Sequence, residues 1–194
     1  MRLLMVAPPG AGKGTQAKRL AAHYGIAHLS SGDLFRKEVA EATPIGKEAA
    51  AYLKRGDLVP DSLVMEMLAG PVLEAAAHGG YVLDGFPRTL PQAEQAYEVA
   101  QQVSGIELQA VVHLEVGSEE LLRRLLARAE ADGRVDDTED VIRHRLEVYG
   151  RETAPMLEFY AGRGLVVDID GEQPVEQVFS DIVGAVDALR AGLA

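Results

Sequence analysis

The chain contains no cysteine and no tryptophan, and aromatic residues make up 5% of it. Without cysteine there is no disulfide, no thiol nucleophile and no Cys-ligated zinc. No run of ~18 apolar residues occurs, because Asp, Glu, Lys and Arg interrupt every long stretch, so no membrane-spanning helix is predicted. Basic residues are scarce too: 19 Lys and Arg stand against 30 Asp and Glu, a formal net charge of -11. That deficit argues against a broad basic face, and with it against non-specific nucleic-acid binding. It leaves room for a local cation cluster that holds a small anion. The apolar opening Met1–Val6 is too short for a signal peptide, which predicts a cytoplasmic protein without a membrane anchor.

The 194 residues, 47% of them hydrophobic, suffice for one compact domain with small insertions. Short apolar runs without polar alternation predict strands at Leu3–Val6, Ala27–Leu29, Tyr81–Leu83, Ala110–Leu114 and Leu165–Ile169, the pattern of parallel strands buried on both faces. Helical patterns separate them at Lys13–His23, Pro91–Val103 and Glu119–Ala129. A long helical stretch, Val141–Arg163, is divided by Gly150 and Pro155, and a last helix starts near Pro174. The alternation predicts an α/β fold, an open parallel sheet with helices on both faces. Two excursions interrupt it. Ser30–Val59 reads as two small helices, Asp33–Ala40 and Gly46–Leu53, and Ala131–Asp137 is a short polar loop. Excursions from a rigid scaffold commonly carry function.

The first predicted strand runs into Ala7-Pro8-Pro9-Gly10-Ala11-Gly12-Lys13-Gly14-Thr15-Gln16. Glycines let the backbone curl so that successive N–H groups face phosphate oxygens, and the following helix offers free N-terminal amides to the same anion. Lys13 adds a full charge. A strand before the loop and a helix after it form the setting a phosphate-binding loop requires. The sequence departs from the generic pattern twice: Ala7 holds the place of the first glycine, and Gly14 fills the usual Ser/Thr slot, with Thr15 next.

Pro9-Gly10-Ala11 followed by Gly12-Lys13-Gly14-Thr15-Gln16 resembles the nucleoside monophosphate kinases, and the adenylate kinase family above all. Further blocks agree in order: Leu29-Ser30-Ser31-Gly32-Asp33-Leu34-Phe35-Arg36, then Gly56-Asp57-Leu58-Val59-Pro60, then Leu83-Asp84-Gly85-Phe86-Pro87-Arg88-Thr89 with Gln92. The last is Gly133-Arg134-Val135-Asp136-Asp137 with Arg145, Leu146 and Tyr149. The resemblance implies a three-layer P-loop kinase fold with five parallel strands in the order 2-3-1-4-5. It implies a core of residues 1–29, 60–126 and 138–194, an acceptor-binding segment at 30–59, and a short lid at 127–137 of the form that carries no zinc. The implied reaction is reversible phosphoryl transfer from Mg²⁺·ATP to AMP, giving two ADP, by a monomer.

Transfer between two nucleotides crowds negative charge, so such a site needs cations that position the partners in a dry cleft. Seven of the fourteen arginines fall between Arg123 and Arg151, and arginine's planar fork meets phosphate oxygens in pairs. By the resemblance, Gly10, Ala11, Gly12, Lys13, Gly14 and Thr15 hold the ATP phosphates, with Arg128 and Gln173 on the ATP side. Arg36 and Arg88 grip the acceptor phosphate. Arg134 and Arg145 close over the reacting groups, and Asp84 orients Mg²⁺ through its water shell. Ser31, Asp57, Leu58, Val59, Gly85, Phe86, Pro87 and Gln92 line the AMP site.

Outside these blocks the readings are structural. Arg123, Arg124, Arg143 and Arg151 read as solvated or helix-paired, the five histidines as structural or surface residues, and Tyr149, Phe159 and Tyr160 as packing. A UMP/CMP kinase shares most blocks. A non-catalytic nucleotide-binding protein is the other alternative, for which Ala7 is the hint. No Asn-Lys-x-Asp block occurs, which disfavours a GTPase.

Overall fold

A computed structural model describes residues 1–132 and 138–192, with side chains for 1–127 and 138–192. The strands are β1 (Arg2–Val6), β2 (Ala27–Ser30), β3 (Tyr81–Asp84), β4 (Ala110–Glu115) and β5 (Val166–Asp170). The helices are α1 (Lys13–Tyr24), α2 (Ser31–Ala40), α3 (Pro44–Arg55), α4 (Asp61–Ala77), α5 (Leu90–Gln102), α6 (Ser118–Asp132), α7 (Glu139–Val148), α8 (Pro155–Ala161) and α9 (Val175–Gly192). A π-turn, Tyr149–Thr153, joins α7 to α8.

All five strands are parallel, in the order β2-β3-β1-β4-β5. The register sets Met5 beside Asp84 and Val112, and Ser30 also beside Asp84. Successive side chains leave opposite faces of the sheet. Leu3 and Met5 therefore join Ala17 and Leu20 of α1 and Val178, Ile182 and Val186 of α9. Leu4 and Val6 face Ala93 of α5 and Met156 and Tyr160 of α8 on the other side. A third cluster lies beyond the sheet edge: Phe35 of α2 and Ala49 of α3 pack on Leu63, Val64 and Leu68 of α4 and on Phe86. From β1 the chain steps to edge strand β2, returns to β3, then crosses to β4 on the far side of β1. That reversal opens a crevice at the carboxyl ends of the strands, where α/β sheets bind ligands.

The predicted strands hold to within a residue at each end. The excursion helices begin earlier than the sequence suggested, and the caps show why. The Ser30 side chain accepts from the Asp33 amide, so α2 starts at Ser31. Thr43 accepts from the Gly46 amide with Pro44 in the first turn, so α3 starts at Pro44 rather than Gly46. The divided stretch after Val141 is confirmed, with the π-turn spanning Gly150 and α8 opening at Pro155.

Candidate active site

The crevice is a cleft of about 410 Å³ lined from Met5 to Thr153. Its floor is the phosphate loop. Gly10 and Gly12 have φ values of 89° and 86°, a left-handed backbone that side chains resist. Gly12 caps α1 without a side-chain acceptor, so the first-turn amides of that helix are left for whatever fills the cleft. Ala7 sits deep in the core, and the only left-handed non-glycine among the described residues is Ala42. The methyl group at Ala7 therefore carries none of the strain a left-handed conformation would bring.

Lys13 opens α1, and its Nζ lies 3.0 Å from Asp84 Oδ1 at the end of β3. His28 of β2 reaches the same carboxylate, its Nε2 3.5 Å from Oδ2. Burial pushes the Asp84 carboxyl up. The Lys13 ammonium and the His28 ring outweigh it and hold the group well below the usual carboxylate range. Asp84 is an ionised oxygen donor at the mouth of the loop, the kind of ligand a hydrated magnesium ion takes.

Three guanidinium groups form the other wall. Arg88 follows β3, and its Nε donates to the Gly85 carbonyl at 2.7 Å. Burial lowers the Arg88 pKa, and Arg145 and Arg36 lower it further against the pull of Asp84. Like charges are thus gathered at close range, an arrangement that favours an anion between them. Arg36 is ion-paired with Asp33 on α2. Arg145 comes from α7 and packs over Gly56, where a Cβ would lie 2.8 Å from its Cγ. Gly85 has φ 88°, and a Cβ there would meet Ser31 Oγ at 2.6 Å and Arg88 Nη2 at 2.9 Å.

A smaller slot of about 30 Å³ adjoins the cleft, lined by Ser31, Phe35, Asp57, Leu58, Val59, Phe86 and Gln92 among others. It has room for a few water molecules at most. Its polar groups are occupied within the protein. The Ser31 hydroxyl donates to the Gly85 carbonyl at 2.7 Å. Gln92 Oε1 accepts from the Arg88 amide at 2.7 Å, and its amide group donates to Asp61. Asp57 pairs with Arg55 at 2.7 Å and with His144 at 2.8 Å.

The structure therefore brings Gly10, Gly12, Lys13, Gly14, Thr15, Arg36, Leu58, Gly85, Pro87, Arg88 and Arg145 to one cleft with Asp84. Ala11 is buried behind the loop. Gln173 is not in the cleft lining; its side chain bonds to the Asp170 carbonyl and to Asp181. Arg134 lies outside the described residues, as does the side chain of Arg128 and the Asp136-Asp137 pair. Other residues at the site, Lys18 and Thr153 of the cleft lining among them, are not marked by the sequence. Arg124, set aside as helix-paired, does pair with Glu120, but it also lines the cleft and donates to the Gly171 carbonyl at 2.9 Å. Tyr149 lines the cleft as well. His28 touches Asp84, and its one sequence signal is a polar side chain between the apolar Ala27 and Leu29.

A model of the adenylate kinase family matches residues 5–165. An adenylate kinase of Micrococcus luteus is 46% identical over 190 residues, covering 98% of this chain and 92% of that protein. One from Thermobifida fusca is 49% identical over 178 residues, covering 92% and 94%. One from Prochlorococcus marinus is 48% identical over 185 residues, covering 95% and 96%. Every residue that lines the cleft falls inside the span the family model matches: the chain belongs to the adenylate kinase family.

Proposed function

We propose that the chain interconverts Mg²⁺·ATP plus AMP with two ADP. The observation that carries this reading is the meeting of Lys13, Arg36, Arg88 and Arg145 in one cleft above an uncapped helix start, in a chain of net charge -11. Four cations gathered against the overall charge fit a ligand with more negative charge than one phosphate supplies.

The transferring group spreads its charge over three equatorial oxygens, so the protein's work is positioning and neutralisation. The loop amides and Lys13 hold the donor phosphates from below. Arg88 and Arg36 hold the acceptor phosphate, and Arg145 reaches in from α7 between the two. Asp84 would hold magnesium through its water shell, and the ion would neutralise charge shared by adjacent phosphates. The family resemblance puts the donor base on the side of the loop after β5, which Arg124 ties to α6. The acceptor base enters the slot beside Ser31, Val59 and Gln92. That slot is too small for a purine as it stands, which supports residues 30–59 as a segment that moves about the acceptor. Residues 127–137 are proposed as the lid over ATP, with Arg128 and Arg134 assigned to its phosphates, and both closures exclude water as a competing acceptor. The chain is taken to act as a monomer, as the resemblance to the family implies.

The test is a coupled assay of the purified chain with AMP, CMP, UMP and GMP as acceptors. AMP is the expected best acceptor; faster turnover of CMP or UMP makes the chain a pyrimidine nucleotide kinase instead. Tight ATP binding without turnover of any acceptor overturns the enzymatic reading.

A further inference from the structure

The π-turn Tyr149–Thr153 presents both of its end residues to the cleft. Such turns interrupt the regular helix ladder and recur at functional sites. Two side chains tie this one to the rest of the site. The Tyr149 hydroxyl lies 3.3 Å from His113 Nε2, and Nδ1 of that ring lies 2.8 Å from Asp168 Oδ1. At the other end the buried Thr153 donates its hydroxyl to the Arg88 carbonyl at 2.7 Å.

The sense of the first chain follows from burial. Burial, and then the charge of Glu115, push the Tyr149 phenol up to about 12, so it keeps its proton and donates. Nε2 of His113 then accepts, and Nδ1 carries the ring proton toward Asp168. His113 and Asp168 are register partners on β4 and β5. The anchor is thus set by two strand backbones rather than by a loop.

The turn stands between two of the guanidinium groups. The Tyr149 amide bonds to the carbonyls of Arg145 and Leu146, which places Arg145 one helical turn upstream. Thr153 holds the carbonyl of Arg88 itself. Resting on the phosphotransfer reading above, we propose that His113, Tyr149 and Thr153 are positioning residues that fix Arg145 and Arg88 at one separation around the transferring phosphoryl group. The Asp168–His113–Tyr149 chain pins the end of α7 to the sheet. Thr153 pins the Arg88 loop to the same turn. Misplacing a reacting group by about 1 Å can cost on the order of 100-fold in rate, so partial loosening belongs on kcat more than on substrate affinity.

The test uses Tyr149→Phe, His113→Phe and Thr153→Val, each near-isosteric and lacking the polar atom, assayed with both nucleotides saturating. Each is expected to lower kcat about three- to tenfold while KM for either nucleotide stays within about twofold. The Tyr149→Phe/His113→Phe double variant should be no slower than the slower single, since both break one chain. His113→Gln, whose amide can accept from Tyr149 and donate to Asp168, should recover most of the rate. Unchanged kcat in Tyr149→Phe and His113→Phe overturns the proposal, as does a loss confined to KM or a double variant whose losses multiply. If His113→Phe does not fold, Tyr149→Phe, which lacks one oxygen atom, decides alone. A wild-type chain that does not interconvert the nucleotides overturns the phosphotransfer reading and this inference with it; an active wild type with unaffected variants overturns this inference only.

Discussion

Lys13 has two partners to serve, the carboxylate of Asp84 3.0 Å away and the phosphates that the loop around it is shaped to hold. Replacing it removes a preorganised charge from a confined site. Lys13→Met should therefore cost at least about 100-fold in turnover, in line with other such stabilisers; near-normal turnover would remove Lys13 from its assigned role. Asp84 gives a second prediction, of stability against pH. Its folded pKa is depressed, so its stabilising contribution is present above the unfolded value of about 3.9 and is lost as pH falls below it toward the folded value. The gap in urea midpoint between the wild type and Asp84→Asn should therefore shrink between pH 7 and pH 3. A gap that stays constant over that range shows that the Lys13 and His28 contacts do not stabilise the charged form. Residue types alone reveal Lys13 and Asp84 because both sit inside motifs. His28 carries no such mark, and Tyr149, though it falls in the last motif block, reads as packing, since a tyrosine in a helix is ordinary until a neighbour is known.

At the scale of elements, α2 and α3 form a unit whose close approach depends on Gly46. A Cβ there would lie 2.1 Å from the Glu38 carbonyl oxygen and 2.6 Å from the Val39 amide nitrogen, both rigid backbone. Gly46→Ala must push the two helices apart, at a cost of about 1–3 kcal/mol or more. Because Arg36 and the acceptor slot ride on this unit, the variant should raise KM for AMP while leaving ATP affinity near normal. Equilibrium binding of each nucleotide separates the two, and equal losses for both would place the damage in the whole fold. Both helices are legible in the sequence, each beginning two residues earlier in the structure than the sequence predicts. The true start of α3 is set by the Thr43 cap with Pro44 in the first turn, a local signal that the strand-and-helix alternation alone does not reveal.

At the scale of the whole molecule, the excursion after β2 packs on a cluster apart from the two that cover the sheet. The proposed acceptor segment contributes Phe35, Ala49 and Val59 to a cluster shared with α4 and Phe86. A segment so built can move without unpacking the centre. Hydrogen exchange with and without a bisubstrate dinucleotide should show amides of α2 and α3 becoming protected on binding while those of β1, β3 and β4 hardly change. Protection confined to the phosphate loop would mean that the segment does not close.

The layered parallel sheet, the phosphate loop and the motif-borne cations can be read along the chain. Each of these rests on local signals: apolar runs of strand length, glycines at a tight turn, and charged residues at fixed spacing from them. Folding in three dimensions set the remaining contacts. It turned Arg124 inward to Gly171, set His113 against Tyr149, occupied both ends of Gln92, and gave Thr153 the Arg88 carbonyl, 65 residues away in the chain. Those contacts depend on strand register and helix packing between distant segments, and a linear pattern does not encode which distant polar groups meet.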